Sequence, residues 1–317
     1  MTAVAGGVTR SVYIALQKFS EQDDRPLRAL QEAGFAIRRN TLGRRLRREE
    51  MAQHLCDADA VLAGVEPYDA GLLADLPRLR CISRCGVGTD SIDLKAAQQR
   101  RVAVLTTPDE VIRPVAEMTV AMLFALARNF PLHWDDLRGG RWKKHTGHLL
   151  SEWTVGLIGF GRIGQEVERC LRPFQPRVLI TDPALAADRV PPTAQRCNLE
   201  MLLKESDVVS LHAGRRPEEG PLLGPGELAR MKQGSRLINT ARGYLVDEIS
   251  LLQSLDSGRL SGAALDVFGE EPYSGPLGRL PQVLLTPHVS TLTRSSRSAM
   301  ELRSAQNVIE FFSGEIP

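Results

Sequence analysis

The stretch VGLIGFGRIGQEV, residues 155–167, decides the fold: an apolar run passes through Gly159, Gly161 and Gly164 into a helical pattern. The spacing is G-x-G-x-x-G. At a strand-to-helix junction the first glycine permits a tight turn, the second lets a pyrophosphate approach the backbone, and the third lets the helix pack on the strand. The N–H groups at the start of the following helix then face the phosphate. A purely structural turn would use the same glycines, so the context carries the weight. The next apolar run, RVLITD (177–182), ends on Asp182, eighteen residues beyond Gly164, about where an acid hydrogen-bonds the adenosine ribose hydroxyls. Aspartate there repels a 2′-phosphate and favours NAD, although a turn residue before Pro183 is the plainer use of the same side chain.

Working outward, short β-rich runs alternate with amphipathic stretches on both sides. Before the glycines stand VYIAL (12–16), FAIRR (35–39), AVLAG (60–64), CISRC (81–85) and VAVLT (102–106). After TVGLIGF (154–160) and RVLITD come DVVSLH (207–212), RLINTA (236–241), GAALDV (262–267) and VLLTPH (283–288). Apolar strands separated by helices predict parallel sheets covered on both faces. The expected fold is α/β, with two doubly wound parallel-sheet domains, in keeping with a length of 317 residues. TTP, Thr106 to Pro108, reads as a linker. VAEMTVAMLFALARNF (115–130) is apolar nearly all round and should be buried in the domain junction or against another subunit. A last helix beyond His288 is expected to cross back onto the first unit.

Composition narrows the function. Hydrophobic content of 43%, charged content of 25% and a net charge of +2 are those of a soluble globular chain without a general attraction to nucleic acid or acidic membranes. The basic run RRNTLGRRLRREE (38–50) reads as a solvated face, because acids follow and no aromatics interleave. No apolar run reaches the roughly 18 residues of a membrane span, and the opening MTAVAGGVTR lacks a secretory core, so a cytoplasmic location is expected. Five cysteines show neither metal spacing nor a disulfide framework.

Three polar residues fall at the carboxyl ends of predicted strands in the second unit: Arg242 after RLINTA, Glu271 in DVFGEEP (266–272), and His288 after VLLTP. Ligands bind at that edge of an open parallel sheet. An arginine fork suits the carboxylate or developing carbonyl of a 2-hydroxy acid. A histidine suits the hydroxyl proton, and a carboxylate orients its ring. Taken singly, each could be a turn histidine, a strand-end arginine or a solvated acid, and spacing alone does not choose between Glu270 and Glu271.

With these residues in place, the chain resembles the D-isomer-specific 2-hydroxyacid dehydrogenases, the group that contains phosphoglycerate, glyoxylate/hydroxypyruvate and phosphite dehydrogenases. CGVGTDSIDL (85–94), PVAEMTVAMLFALAR (114–128), VGLIGFGRIG (155–164), INTARGYLVDE (238–248), GAALDVFGEEP (262–272) and TPH (286–288) carry the resemblance over nearly the whole chain. It implies a Rossmann NAD-binding domain, 108–293, inserted in a flavodoxin-like substrate domain, 1–107 with 294–317. It implies Arg242, Glu271 and His288 as catalytic residues. Cofactor contacts would come from Arg162, Ile163, Asp182, His212, Thr240, Ala241 and Asp266 beside the glycines and the catalytic arginine and histidine. Gly86, Val87, Gly88 and Arg242 would bind a small anionic substrate. The implied reaction is reversible hydride transfer between substrate C2 and NAD, in a homodimer built through 115–130, with no metal, nucleic acid or membrane partner.

Departures from the pattern bear on the substrate. Gly214, Arg215 and Arg216 follow LH where proline and threonine are usual, and Val289 to Leu292 replace a small-residue segment after the histidine. Val87 stands where phosphite dehydrogenases carry lysine, and Glu271 where formate dehydrogenases carry glutamine. Arg84, Arg113, Arg215 and Arg216 leave room for a phosphonate or phosphorylated hydroxy acid. A non-catalytic NAD-sensing protein of the corepressor type would share the same residues.

Overall fold

The computed structural model describes residues 9–214 and 217–316. The chain divides into two compact units, one built from residues up to Val111 together with Thr291 onward, the other from Ile112 to Ser290. The first holds β1 (Ser11–Ile14), α1 (Arg25–Glu32), β2 (Ala36–Arg39), α2 (Arg48–Leu55), β3 (Ala60–Ala63), α3 (Ala70–Asp75), β4 (Cys81–Arg84), α4 (Leu94–Gln99) and β5 (Ala103–Leu105). The second begins with α5 (Ile112–Ala127) and α6 (Phe130–Arg138), then β6 (Thr154–Ile158), α7 (Arg162–Leu171), β7 (Arg177–Thr181), β8 (Ala194–Arg196) and α8 (Leu199–Glu205). It continues through β9 (Val208–Leu211), α9 (Pro225–Arg230), β10 (Ser235–Asn239), α10 (Glu248–Asp256), β11 (Leu260–Leu265) and β12 (Val283–Leu285). The closing helix α11 (Arg294–Ser313) belongs to the first unit.

Both sheets are parallel throughout, with orders β2-β1-β3-β4-β5 and β12-β11-β10-β9-β6-β7-β8. Successive strand side chains point to opposite faces, so helices on both sides demand apolar residues at every position. In the first unit Tyr13, Val61 and Ile82 enter one core while Val12, Ile14, Ala60, Leu62 and Cys81 enter the other. Helix α11 adds Met300, Ala305 and Val308 to that second core, and Ser83 donates its hydroxyl to the Ser304 carbonyl at 2.8 Å. The expected return of the last helix to the first unit is thus observed. In the second unit Leu237 and Ile238 likewise enter opposite cores. Burying each such leucine or isoleucine stabilises the fold by about 1.5–3 kcal/mol.

Three differences from the sequence reading have physical causes. Strand β8 was not expected, because Ala194–Arg196 is a short polar edge strand with no apolar run to mark it; it is held by its ladder to β7. The long apolar helix ends at Ala127, and Asn129 turns left-handed (φ 52°), so Phe130 begins a separate helix. Burial of α5 falls on one face, including Val115, Ala116, Thr119, Met122, Leu123 and Leu126. No single helix among the described residues is long and apolar enough to cross a membrane.

Four of the six arginines in the basic run are paired locally. Arg38 pairs with Asp57, Arg44 and Arg47 with Glu50, and Arg48 with Asp69. All five cysteines are free thiols, and burial pushes Cys81 up to about 12 and Cys85 up to about 11. Both are inert at neutral pH.

Candidate active site

The glycine loop follows β6, and its three glycines meet the steric requirements of a dinucleotide site. Gly159 has φ +92°, and a Cβ there would sit 2.6 Å from the backbone of His212 and Ala213. A Cβ on Gly164 would lie 2.5 Å from the Gly159 carbonyl oxygen, so α7 can approach the strand only without a side chain. A Cβ on Gly161 would meet nothing within 4 Å; the space above the first turn of α7 is open. A phosphate there would meet the N–H groups of the helix start. Arg162 is exposed at that start, and Ile163 packs partly against the core.

Asp182 stands at the end of β7. Its Oδ2 accepts the Phe160 N–H at 2.7 Å and its Oδ1 accepts the Ala184 N–H at 2.8 Å. The carboxylate therefore ties the glycine loop to the next strand end while each oxygen keeps acceptor capacity for a ribose hydroxyl. These residues fit NAD, which they would hold by its phosphates and adenosine ribose.

His212 follows β9, donates its backbone N–H to Ile158 at 2.7 Å, and places Nε2 2.9 Å from Ser210 Oγ. Burial holds this imidazole neutral, lowering its pKa to about 4. An unfolded histidine takes a proton near pH 6.5 that the folded one refuses until about 4, so stability falls as pH drops through that window and levels off below it. The loss is on the order of 3 kcal/mol. His212→Gln is expected to flatten this part of the profile, as checked by urea midpoints between neutral and acid pH. An unchanged slope in the variant would assign the acid sensitivity to other groups.

The expected catalytic residues sit at the carboxyl ends of β10, β11 and β12, which are adjacent in the sheet. Arg242 begins the turn after β10, and its Nη1 donates to the Ala241 carbonyl at 2.7 Å. Asn239, almost fully buried, locks that turn from below: Oδ1 accepts the Ala241 N–H at 3.0 Å and Nδ2 donates to the Arg242 carbonyl at 2.8 Å. Sequence reasoning passed over Asn239, although a polar residue ending an apolar strand could have drawn notice. The Thr240 hydroxyl lies 2.9 Å from Thr119 of α5. Thr119 gives its proton to the Val115 carbonyl, so Thr240 is the donor of the pair and its side chain is spent inside the core.

After β11, the DVFGEEP turn doubles back. Glu271 Oε1 accepts the Phe268 N–H at 3.2 Å, and Oε2 receives His288 Nδ1 at 2.9 Å. The Glu271–Pro272 peptide is cis. Both partners remain accessible, the histidine side chain being 44% exposed and the glutamate 37%. An ionised carboxylate only accepts, so Nδ1 carries the proton and Nε2 of the neutral ring is the basic nitrogen. His288 adopts φ +52°, a left-handed conformation that costs a non-glycine residue roughly 1–2 kcal/mol.

Asp266 has a task the sequence did not indicate. Fully buried, it accepts Thr286 Oγ1 at 2.5 Å, the N–H groups of Val289 and Ser290 at 2.8 and 2.9 Å, and the Ser290 hydroxyl. These donors bracket His288 and hold the segment that carries it. Val289 and Ser290, noted as departures from the family pattern, are thus parts of this anchor. Gly214 is exposed, and Arg215 and Arg216 lie outside the described residues.

In the first unit, β4 leads into Gly86, Val87 and Gly88. Gly86 has φ +139°, donates its N–H to Thr107 Oγ1 at 2.8 Å and accepts the Thr107 N–H at 2.9 Å. This reciprocal clamp leaves Val87 exposed at the strand end. No group of His, Cys, Asp and Glu among the described residues could hold a metal ion.

Residues 120–290 match the model of the D-isomer specific 2-hydroxyacid dehydrogenase NAD binding domain. The glyoxylate reductase of Thermofilum pendens is 36% identical over 281 residues, 85% of this chain and 83% of that protein. The D-3-phosphoglycerate dehydrogenase of Archaeoglobus fulgidus is 33% identical over 84% of this chain but only 52% of its own length. Among solved structures, the D-lactate dehydrogenase from Aquifex aeolicus, complexed with NAD and lactic acid, superposes with a TM-score of 0.83 at 27% identity, covering 96% of each chain. The chain belongs to the D-isomer specific 2-hydroxyacid dehydrogenase family and is an NAD-dependent oxidoreductase.

Proposed function

We propose that the protein interconverts a D-2-hydroxy acid and its 2-keto acid, with His288 as acid/base, Glu271 orienting it and Arg242 binding the substrate carboxylate or carbonyl. The observation that carries this reading is the His288–Glu271 hydrogen bond of 2.9 Å, made on the same sheet edge as the glycine loop. NAD, when bound, accepts or supplies the hydride at substrate C2. His288 Nε2 takes the hydroxyl proton in oxidation and returns it in reduction, while Glu271 stabilises the imidazolium. Arg242 offers a charged fork to the carboxylate and to charge developing on the carbonyl oxygen. The segment Gly86, Val87 and Gly88 at the end of β4 is assigned to the substrate carboxylate through its exposed residue Val87, Gly86 being buried and tied to Thr107.

Similarity to a glyoxylate reductase favours a small, singly anionic keto acid. The test is a panel of glyoxylate, hydroxypyruvate, pyruvate and a phosphonate-bearing keto acid, read by NADH absorbance. Turnover of a small keto acid is expected. Turnover of the phosphonate alone would replace the substrate class, and tight NADH binding without any turnover would replace the enzyme by a binding protein. The free thiols and the cofactor suit a cytoplasmic location.

We also infer a homodimer formed through α5 and the segment that follows it. The large apolar residues left exposed there are Phe130, Trp134, Leu137, Trp142 and Leu149, with Trp142 at 84%. Clustered exposure of this kind marks an interface. Trp134→Glu with Trp142→Glu is expected to convert a dimer to a monomer in light scattering. A wild-type chain that runs as a monomer would overturn the inference.

A further inference from the structure

Glu248 lies outside every role assigned above, yet its carboxylate reaches into the turn that carries Glu271. It is the first residue of α10, partly exposed, and its Oε1 accepts the Gly269 N–H at 2.7 Å. That donor sits between two groups that matter. Phe268, one residue earlier, gives its N–H to Glu271 Oε1 at 3.2 Å, and Glu271 Oε2 receives His288 Nδ1 at 2.9 Å. The turn thus presents two consecutive N–H groups to two glutamates, one belonging to the site and one holding the turn from behind. The other restraint is steric: Gly243, in the segment between Arg242 and α10, is pressed so close to Phe268 that a Cβ on it would lie 1.9 Å from the Phe268 carbonyl carbon. Contact alone fixes distance but leaves the turn free to slide, whereas a directional hydrogen bond to Gly269 sets its orientation.

We propose that Glu248 is a positioning residue that fixes the direction of Glu271, and through it His288, by holding the Gly269 N–H. It rests on the catalytic reading of Glu271 given above. What Glu248 supplies is an acceptor at the right reach, not a charge. Glu248→Gln keeps an amide oxygen at the same distance, whereas Glu248→Asp keeps the charge at the helix start but falls one methylene short of Gly269.

The experiment measures kcat and KM for the best keto acid, and NADH affinity by fluorescence, in Glu248→Gln, Glu248→Asp, Glu248→Ala, Glu271→Gln and the Glu248→Ala/Glu271→Gln pair. Misplacing a catalytic group from a distance costs up to about 100-fold in rate, so a loss of roughly 10- to 100-fold in kcat is expected for the alanine and aspartate variants. NADH affinity should stay within about twofold, since the glycine loop is untouched. Glu248→Gln should restore most of the rate, and Glu248→Ala should add nothing once Glu271 is glutamine, because a residue acting through another shows no effect of its own in that background. Glu248→Asp, which keeps the helix-start charge, serves as the readout should the alanine variant fold poorly. A glutamine variant as slow as the aspartate one, or losses that multiply in the double variant, would overturn the inference while leaving the catalytic assignment standing. Wild-type turnover in Glu271→Gln alone would instead remove the assignment on which it rests.

Discussion

Replacing His288 by alanine is expected to lower kcat for keto-acid reduction by about 10²–10⁴-fold, the range for a lost general acid/base. NADH binding should change far less, because the glycine loop and Asp182 lie on other strands of the sheet and share no hydrogen bond with His288. The structure adds a comparison that spacing could not settle. Glu271 touches the ring at 2.9 Å and the Phe268 N–H at 3.2 Å, whereas the neighbouring Glu270 is exposed. Glu271→Gln should therefore cut the rate, since the ring loses the carboxylate that orients it and stabilises the imidazolium. Glu270→Gln should be nearly silent. Steady-state kinetics of the three variants across pH checks all of this, and a His288→Ala enzyme at wild-type rate would sink the assignment.

Gly243→Ala is expected to do comparable damage without removing any reactive group. A methyl there would lie 1.9 Å from the Phe268 carbonyl carbon, 2.0 Å from its oxygen and 2.4 Å from the Gly269 nitrogen. These are backbone atoms, so no side-chain rotation relieves the clash. Phe268 cannot retreat easily, being 8% exposed and stacked on Tyr273 at 4.4 Å between ring centroids. The turn bearing Arg242 and the turn bearing Glu271 must separate, which should cost about 1–3 kcal/mol of stability or more and roughly 100-fold in kcat. Gly269→Ala is the control, because its Cβ would meet nothing closer than Glu248 Oε1 at 3.4 Å. A melting temperature and kcat that stay at wild type in Gly243→Ala would show that the two turns are not coupled through this contact.

Much of the scaffold was legible because it follows from local pattern. Continuous apolar strands such as AVLA in β3 are what two covered faces require, and the glycine triplet is demanded by close backbone approach at Gly159 and Gly164. The polar edge strand β8 and the break at Asn129 were not legible, because neither is marked by apolar periodicity. Within the site, residue type suggested arginine, histidine and carboxylate, but not their partners. Asp266 spends its carboxylate on residues 286–290, Asn239 ties down the Arg242 turn, and Thr240 faces α5.

By itself, then, the sequence determined the α/β class, the strand that carries the phosphate loop, and the set of side chains able to do acid/base chemistry. These depend on period, spacing and residue type, which are properties of neighbours along the chain. Only the tertiary structure decided the geometry in which Glu271 meets the histidine, which polar groups are spent on backbone, and that Gly243 and Glu248 bear on a turn more than twenty residues away. Those outcomes depend on sheet order, since β10, β11 and β12 become adjacent only when the sheet forms, and no local pattern encodes a contact between their loops.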